Sequence, residues 1–184
     1  ANDLDGMLRH TDECRARGFA FAADPSQQLA RMEGAEIRRL IDGAAYLFTN
    51  EYEAALTEQK TGWSAAEIAD RVQCRVTTLG AQGARIERAG EAPVKVECLA
   101  ESSVVDPTGV GDAFRAGFLA GLGLGLTDER CAQLGSLLAT LVIETVGTQE
   151  YQVSDADIHH RLTAAYGAEP AAEITSRLSL RPSA

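Results

Sequence analysis

The sequence predicts an α/β fold, a mainly parallel sheet with helices on both faces plus a β-hairpin. Short apolar runs at residues 19–23, 45–48 and 74–79 alternate with longer stretches of helical periodicity, as strands joined by crossover helices do. Between residues 84 and 98 the pattern shortens to near alternation around Ala89-Gly90-Glu91-Ala92-Pro93, which reads as a hairpin.

Residues 7–17 have helical character and stop at Gly18; Phe19-Ala20-Phe21-Ala22-Ala23 then forms a buried strand stopped by Asp24-Pro25-Ser26. Asp24 or Ser26 is the candidate cap of a helix whose apolar positions are Leu29, Met32, Ile37, Leu40 and Ile41. Ala45-Tyr46-Leu47-Phe48 makes the second strand and ends in Thr49-Asn50. Residues 51–59 and 64–72 are helical, the latter with Ser64 and Glu67 at capping-box spacing. Residues 74–79 form the third strand. After the hairpin, Val104-Val105 makes a short approach to Asp106. Two apolar helices, 110–124 and 127–146, and a more polar one, 154–166, complete the pattern. Residues 1–167 are expected to form one compact portion. The tail 168–184, with Pro170 and Pro182, carries little core and is expected to be disordered.

A chain of 184 residues with 45% apolar composition can bury an ordinary core. Its net charge of −10 comes from scattered Asp and Glu, which describes a solvated surface and argues against nucleic acid as a partner. Cys14, Cys74, Cys98 and Cys131 lack CxxC or Cys/His spacing, so they read as reduced packing residues of a cytosolic protein. The apolar stretch 134–146 is interrupted by polar residues and is shorter than the roughly 20 residues of a membrane span. The first residues contain neither a basic nor an apolar signal region. A cytoplasmic location without membrane partners is therefore expected. The absence of an initiator Met, with helical patterning almost from the start, suggests that the chain begins within a longer protein.

The chemistry lies in Asp106-Pro107-Thr108-Gly109-Val110-Gly111-Asp112-Ala113-Phe114. Its two glycines let the backbone approach a ligand, and a helix follows at once. The free N–H groups of such a turn, with the positive end of the helix dipole behind them, form an anion site. A carboxylate beside that site would repel phosphate unless it has a task. Asp112 is therefore either a helix cap or a general base that takes a proton from an attacking hydroxyl while the N–H groups of Gly109, Val110 and Gly111 hold a moving phosphoryl group. No Gly-Lys-Ser/Thr follows, so this is not a Walker A loop, and Phe114 stands where a dinucleotide fingerprint has its third glycine.

This stretch resembles the second signature, Asp-Thr-x-Gly-Ala-Gly-Asp, of the ribokinase-type (PfkB) carbohydrate kinases, with Pro107 and Val110 as departures. The long form DPTGVGDAFRAGFLAGL is similar to that of actinobacterial adenosine kinases. Further elements match in the family's order. Asn50-Glu51-Tyr52-Glu53 resembles its Asn-x-x-Glu motif, which implies phosphate contact by Asn50 and a water-mediated magnesium contact by Glu53, with Asn50 close to the metal. A helix start with exposed carboxylates explains the same residues. Thr78-Leu79-Gly80-Ala81-Gln82-Gly83 resembles the nucleotide-side Thr-x-Gly-x-x-Gly segment, against the alternative of a plain turn into a hairpin. Gly147-Thr148-Gln149 falls where the family closes over adenine, though a helix C-cap would account for Gly147 equally. Asp24-Pro25-Ser26-Gln27-Gln28 is similar to a strand end facing the substrate, which makes Gln27 and Gln28 acceptor-side candidates.

The resemblance implies a ribokinase-like fold, of which this chain is the C-terminal half. The implied reaction is transfer of a phosphoryl group from ATP, with Mg²⁺, to a primary hydroxyl of a nucleoside or sugar. The acceptor it favours is the 5′-hydroxyl of adenosine, giving AMP in purine salvage; another sugar or sugar phosphate, or a non-catalytic nucleotide-binding module, are the alternatives. Asp112 would be the base and Thr78, Gly80, Gly83, Thr108 and Gly147 would line ATP. A nearby monovalent cation such as K⁺ and a homodimer of the full-length parent are further implications. With only this half present, the sheet is expected to have an uncovered edge or face and the chain to be poorly active.

The remaining features read as structural. His159-His160 lies on a polar helix without ligand spacing. Arg115 either steers phosphate or is an ordinary helical arginine. Gly117-x-x-x-Gly121 permits close packing of a helix on the sheet, and Trp63 packs before a helix.

Overall fold

The computed structural model describes residues 3–178. They divide into two compact units, one running to Gly80 and including Ala84–Val94, the other made of Ala81–Gly83 and the chain from Lys95 onward.

The first unit contains α1 (Leu4–Arg17), β1 (Ala22–Ala23), a 3-10 turn (Ser26–Ala30), α2 (Gly34–Ile41), β2 (Tyr46–Asn50), α3 (Glu51–Thr61), α4 (Ala65–Ala69), β3 (Arg75–Thr78) and β4 (Ala84–Glu87). β5 (Val94–Val96) begins at its end, and the sheet order is β1-β2-β3-β4-β5. β1, β2 and β3 are parallel and β4 runs antiparallel to β3. Register sets Thr49 opposite Thr77 and Asn50 opposite Thr78, so the polar ends of two neighbouring parallel strands lie side by side. The core gathers Leu8, Leu29, Met32, Ile37, Leu40, Ile41, Leu47, Ile68 and Val72, with Trp63 packed against it. The guanidinium of Arg71 lies 4.0 Å from the centre of the Trp63 ring, so this tryptophan is a packing residue with a cationic cover.

Two expectations change here for local reasons. Of the run 19–23 only Ala22–Ala23 is strand. Gly18 closes α1 in a left-handed conformation (φ 69), and the Phe19 N–H is used by the Cys14 carbonyl; the start of the run is spent on the helix end, leaving Phe19 60% exposed. The helix expected through 29–41 is a 3-10 turn followed by α2, and neither Asp24 nor Ser26 caps it. Glu33 does, in a capping box with Glu36.

The second unit holds α5 (Val110–Gly123), α6 (Asp128–Ile143), α7 (Asp155–Tyr166) and α8 (Ala168–Leu178). A Cβ on Gly117 would lie 2.7 Å from the Gly135 Cα, and one on Gly121 2.9 Å from the Cys131 sulfur. The two glycines therefore seat α5 antiparallel on α6, a helix neighbour rather than the expected sheet. Val104 and Val105 form no strand and are exposed. The N–H groups of Val105 and Asp106 both turn to the Ile143 carbonyl at the end of α6, which takes them out of any ladder. The tail expected to be disordered from 168 is helical to Leu178, with Ala171 and Ile174 buried on one face. Pro170 is tolerated because it falls in the first turn. The rest of that expectation, residues 179–184, lies outside the described residues. Among the described residues no helix is long and apolar enough to cross a membrane.

Candidate active site

The signature in the second unit is shaped by Asp106. Its Oδ1 accepts the Thr108 N–H at 2.9 Å and its Oδ2 the Gly147 N–H at 3.4 Å. Bonds from Thr108, then Gly147, hold its carboxyl below the usual range. Gly109 follows as the N-cap of α5 with φ 81, a left-handed conformation for which glycine is the low-cost residue. A Cβ there would also meet the Thr148 methyl at 2.6 Å. Gly147 is therefore bonded to the signature and Thr148 packs beside it. Gly147 is not the C-cap of α6, which is Glu144.

The Val110 N–H points loosely to the Pro107 carbonyl at 3.4 Å, and the Ala113 N–H returns to Gly109 at 2.8 Å. Between them, the N–H groups of Gly111 and Asp112 belong to the first turn, where helix geometry supplies no acceptor. Asp112 is third in the helix, where a carboxylate can bond back to the cap, yet α5 has no side-chain cap bond. The Asp112 side chain is 87% exposed, with one Arg115 nitrogen 3.6 Å from its Oδ1. The alternative of a helix cap is thus not realised. A Cβ on Gly111 would lie 2.7 Å from that same Arg115 nitrogen, so the guanidinium folds back over the first turn beside the free donors.

The loop leading into the signature is laced along α6. The Leu99 N–H donates to the Ser136 hydroxyl at 2.8 Å, and the Thr140 hydroxyl donates to the Leu99 carbonyl at 3.0 Å. Glu144 accepts both the N–H (2.6 Å) and the hydroxyl (2.9 Å) of Ser102, and pairs with Arg161 at 2.9 Å. Burial raises the Glu144 pKa, but the bonds from Arg161 and Ser102 outweigh it and leave the group below its ordinary value. The sequence reading assigned no task to Asp106 beyond membership of the motif, and none to Glu144. An Asp two residues before the N–H it accepts is an Asx-turn pattern and was visible; a contact 42 residues apart, Ser102 to Glu144, was not.

In the first unit, Asn50 and Glu53 form a capping box: Glu53 Oε2 accepts the Asn50 N–H at 2.8 Å, and Asn50 Oδ1 the Glu53 N–H at 2.7 Å. The helix-start side of the expected ambiguity is present, and the box engages Glu53 Oε2 and Asn50 Oδ1 but neither Glu53 Oε1 nor the Asn50 amide nitrogen. Asn50 and Thr78 are register partners at adjacent strand ends. Gly80 has φ 58 with nothing within 4 Å of a Cβ, and Gln27 is exposed with Gln28 half-buried.

Gly83, in the second unit, differs. A Cβ on it would be 2.0 Å from the Val96 carbonyl oxygen, so backbone packing alone requires glycine there. His159 and His160 join no cluster that could hold a metal among the described residues. The Cys131 thiol is pushed up to about 12 by burial, an inert packing residue as expected.

Known proteins match this arrangement over most of the chain. Residues 4–155 match the pfkB family carbohydrate kinases. A nucleoside kinase of Methanocaldococcus jannaschii is 29% identical over 126 residues, 68% of this chain and 41% of that protein. The structure of a Burkholderia thailandensis nucleoside kinase in complex with inosine is 40% identical with a TM-score of 0.84, covering 89% of this chain and 54% of that one. The adenosine kinase of Sinorhizobium meliloti is 28% identical with a TM-score of 0.62, covering 89% and 49%. The chain spans about half the length of these relatives. With a ribokinase-like fold and the signature carried on α5, the chain belongs to the pfkB family of carbohydrate kinases.

Proposed function

We propose that this chain supplies the phosphoryl-transfer portion of an ATP-dependent nucleoside kinase. In this reading it moves the γ-phosphoryl group of ATP in line to the 5′-hydroxyl of a purine nucleoside, adenosine foremost, giving AMP. The observation that carries the reading is Asp112: an exposed carboxylate without a capping bond, set among first-turn N–H groups that have no helical acceptor. Likeness to nucleoside kinases, one of them in complex with inosine, supports a nucleoside over a free sugar as acceptor.

Asp112 takes the proton of the attacking hydroxyl. Gly109 and the N–H groups of Gly111 and Asp112 hold the charge of the moving group, with Val110 contributing less because its N–H leans on Pro107. Arg115, folded over Gly111, adds a fixed positive charge beside them. Thr108, Gly147, Thr78, Gly80 and Asn50 line the nucleotide. Gly83 acts there through the backbone it lets approach, and Gln27 and Gln28 face the acceptor.

The donor set in the first unit suits Mg²⁺ rather than a metal caged by protein. One carboxylate oxygen of Glu53 is left by the capping box, and magnesium keeps most of its waters while taking one or two carboxylates together with substrate phosphates. When bound, the ion would neutralise phosphate charge. Glu53 would hold its water and Asn50 the neighbouring phosphate. K⁺ as an activator and a homodimeric assembly belong to the same proposal.

Assays of the complete native protein with ATP and, separately, adenosine, inosine, ribose and fructose 6-phosphate test the reading. Turnover of the nucleosides well above the two sugars is the expected result, with adenosine leading. No turnover of any nucleoside would overturn it.

A further inference from the structure

Lys60, in the last turn of α3, directs its ammonium to main-chain carbonyls of a single distant segment: Leu29 at 2.9 Å, Ala30 at 2.8 Å and Met32 at 2.9 Å. An ammonium has three donors, and all of them are used here. The segment they hold is the 3-10 turn that carries Gln27 and Gln28, together with its exit.

That turn needs holding. Ser26 at its start has φ 46, the one positive-φ residue other than glycine among the described residues, a conformation that persists only where surrounding structure over-determines it. The Arg31 and Met32 N–H groups both go to the Gln28 carbonyl, after which the chain leaves helical geometry until α2 begins at Gly34. The carbonyls of Leu29, Ala30 and Met32 are therefore left without the helical N–H partners that a continuing helix would provide. Leu29 and Met32 anchor one side of the turn in the core, at 1% and 0% exposure, while Gln27 is exposed.

The seat of the clamp is itself fixed. A Cβ on Gly34 would lie 2.0 Å from the Lys60 carbonyl oxygen, and the Arg38 guanidinium donates to the Thr61 carbonyl, so α2 closes on the end of α3. At its other end, about 15 Å of helix away, α3 begins with Asn50 and Glu53.

We propose that Lys60 is a positioning residue for the acceptor: its ammonium fixes the strained turn that presents Gln27 and Gln28, and α3 thereby ties the acceptor side to the phosphate side. This rests on the reading of Gln27 and Gln28 as acceptor-side residues.

The test uses the complete native protein with the substitutions Lys60→Met, Lys60→Arg and Gln28→Ala. Lys60→Met keeps the aliphatic stem and removes the donors. It should raise the KM for adenosine at least fivefold, leave the KM for ATP within twofold, and speed hydrogen exchange at the Arg31 and Met32 amides at least tenfold. Lys60→Arg should recover most of the adenosine KM.

Unchanged adenosine KM and amide protection in Lys60→Met would overturn the proposal, as would an equal loss of ATP and adenosine binding with general loss of amide protection. Gln28→Ala separates the two layers. If it raises the adenosine KM while Lys60→Met does not, the turn faces the acceptor and Lys60 does not position it. If neither Gln28→Ala nor Lys60→Met changes that KM while Lys60→Met deprotects the amides, the acceptor-side reading itself fails.

Discussion

Glu53 and Asp112 are both third in their helices, one in each compact unit, and both belong to motifs that sequence alone ties to phosphate chemistry. In α3 the Glu53 carboxylate folds back to the Asn50 N–H and completes a capping box. In α5 the cap is Gly109, no side chain bonds back, and the Asp112 carboxylate is 87% exposed. Among the described residues α2, α4 and α7 also place an acidic side chain third and use it for a box. The structural use of such an acid is thus the rule in this molecule, and Asp112 departs from it. A carboxylate kept out of the cap beside donors without helical acceptors is what the proposed role of Asp112 as base requires, whereas Glu53 has a structural task in its capping box.

The contrast breaks most sharply at Asp112. Asp112→Asn keeps the size and removes the base, so turnover should fall by about 10²–10⁴-fold while ATP binding, followed by titration calorimetry, stays within a few-fold. Unchanged turnover would return Asp112 to the class of helix-start acids to which Glu53 belongs.

A second contrast, between Gly80 and Gly83, should be read out in stability. Both have positive φ, 58 and 87, but a Cβ on Gly80 meets nothing whereas one on Gly83 meets backbone at 2.0 Å. Gly83→Ala should cost at least about 2 kcal/mol in urea unfolding, from close contact added to backbone strain. Gly80→Ala should cost only the left-handed backbone strain, about 1–2 kcal/mol, and raise the KM for ATP. Equal stability losses would remove the distinction between a glycine required by packing and one left open for a ligand.

These pairs also mark what sequence could reach. Ser64 with Glu67 was legible as a capping box because its partners are three residues apart, and the structure contains it. The mostly parallel sheet was legible in outline because helical stretches alternate with apolar runs. The 3-10 turn at Ser26–Ala30 was not, since the partner of its exit carbonyls, the Lys60 ammonium, lies some thirty residues on. Val104-Val105 was legible as a short approach to the signature, but not that the Ile143 carbonyl, some forty residues on, accepts the Val105 and Asp106 N–H groups. In the site, residue types and order were readable; whether a given acid is capped, paired or free depends on rotamers and distant partners, which local pattern does not encode.

The comparison sharpens further at Glu53. Gln serves the same capping position as Glu, so Glu53→Gln should leave thermal stability unchanged within about 0.5 kcal/mol. If the spare oxygen holds a magnesium water, the Mg²⁺ concentration for half-maximal turnover should rise by about tenfold, the scale on which outer ligands act. No change in that requirement would leave Glu53 as a helix start alone.

The smallest effect expected is at Glu144, which fixes the approach to the signature without taking part in it. Its carboxyl titrates below its ordinary value in the folded protein because the Arg161 and Ser102 bonds outweigh burial. A lowered folded pKa means that its contribution is fully present above the unfolded value and is lost as pH falls through the folded one. Glu144→Gln keeps an acceptor for Ser102 and loses the ion pair with Arg161, a side chain 30% exposed; such a pair contributes about 0.5–1 kcal/mol. The melting temperature at pH 7 should drop by a few degrees, and the gap between native and variant should close as pH falls below the ordinary carboxylate range. A gap that stays constant with pH would mean that Glu144 holds the Ser102 loop by shape rather than by charge.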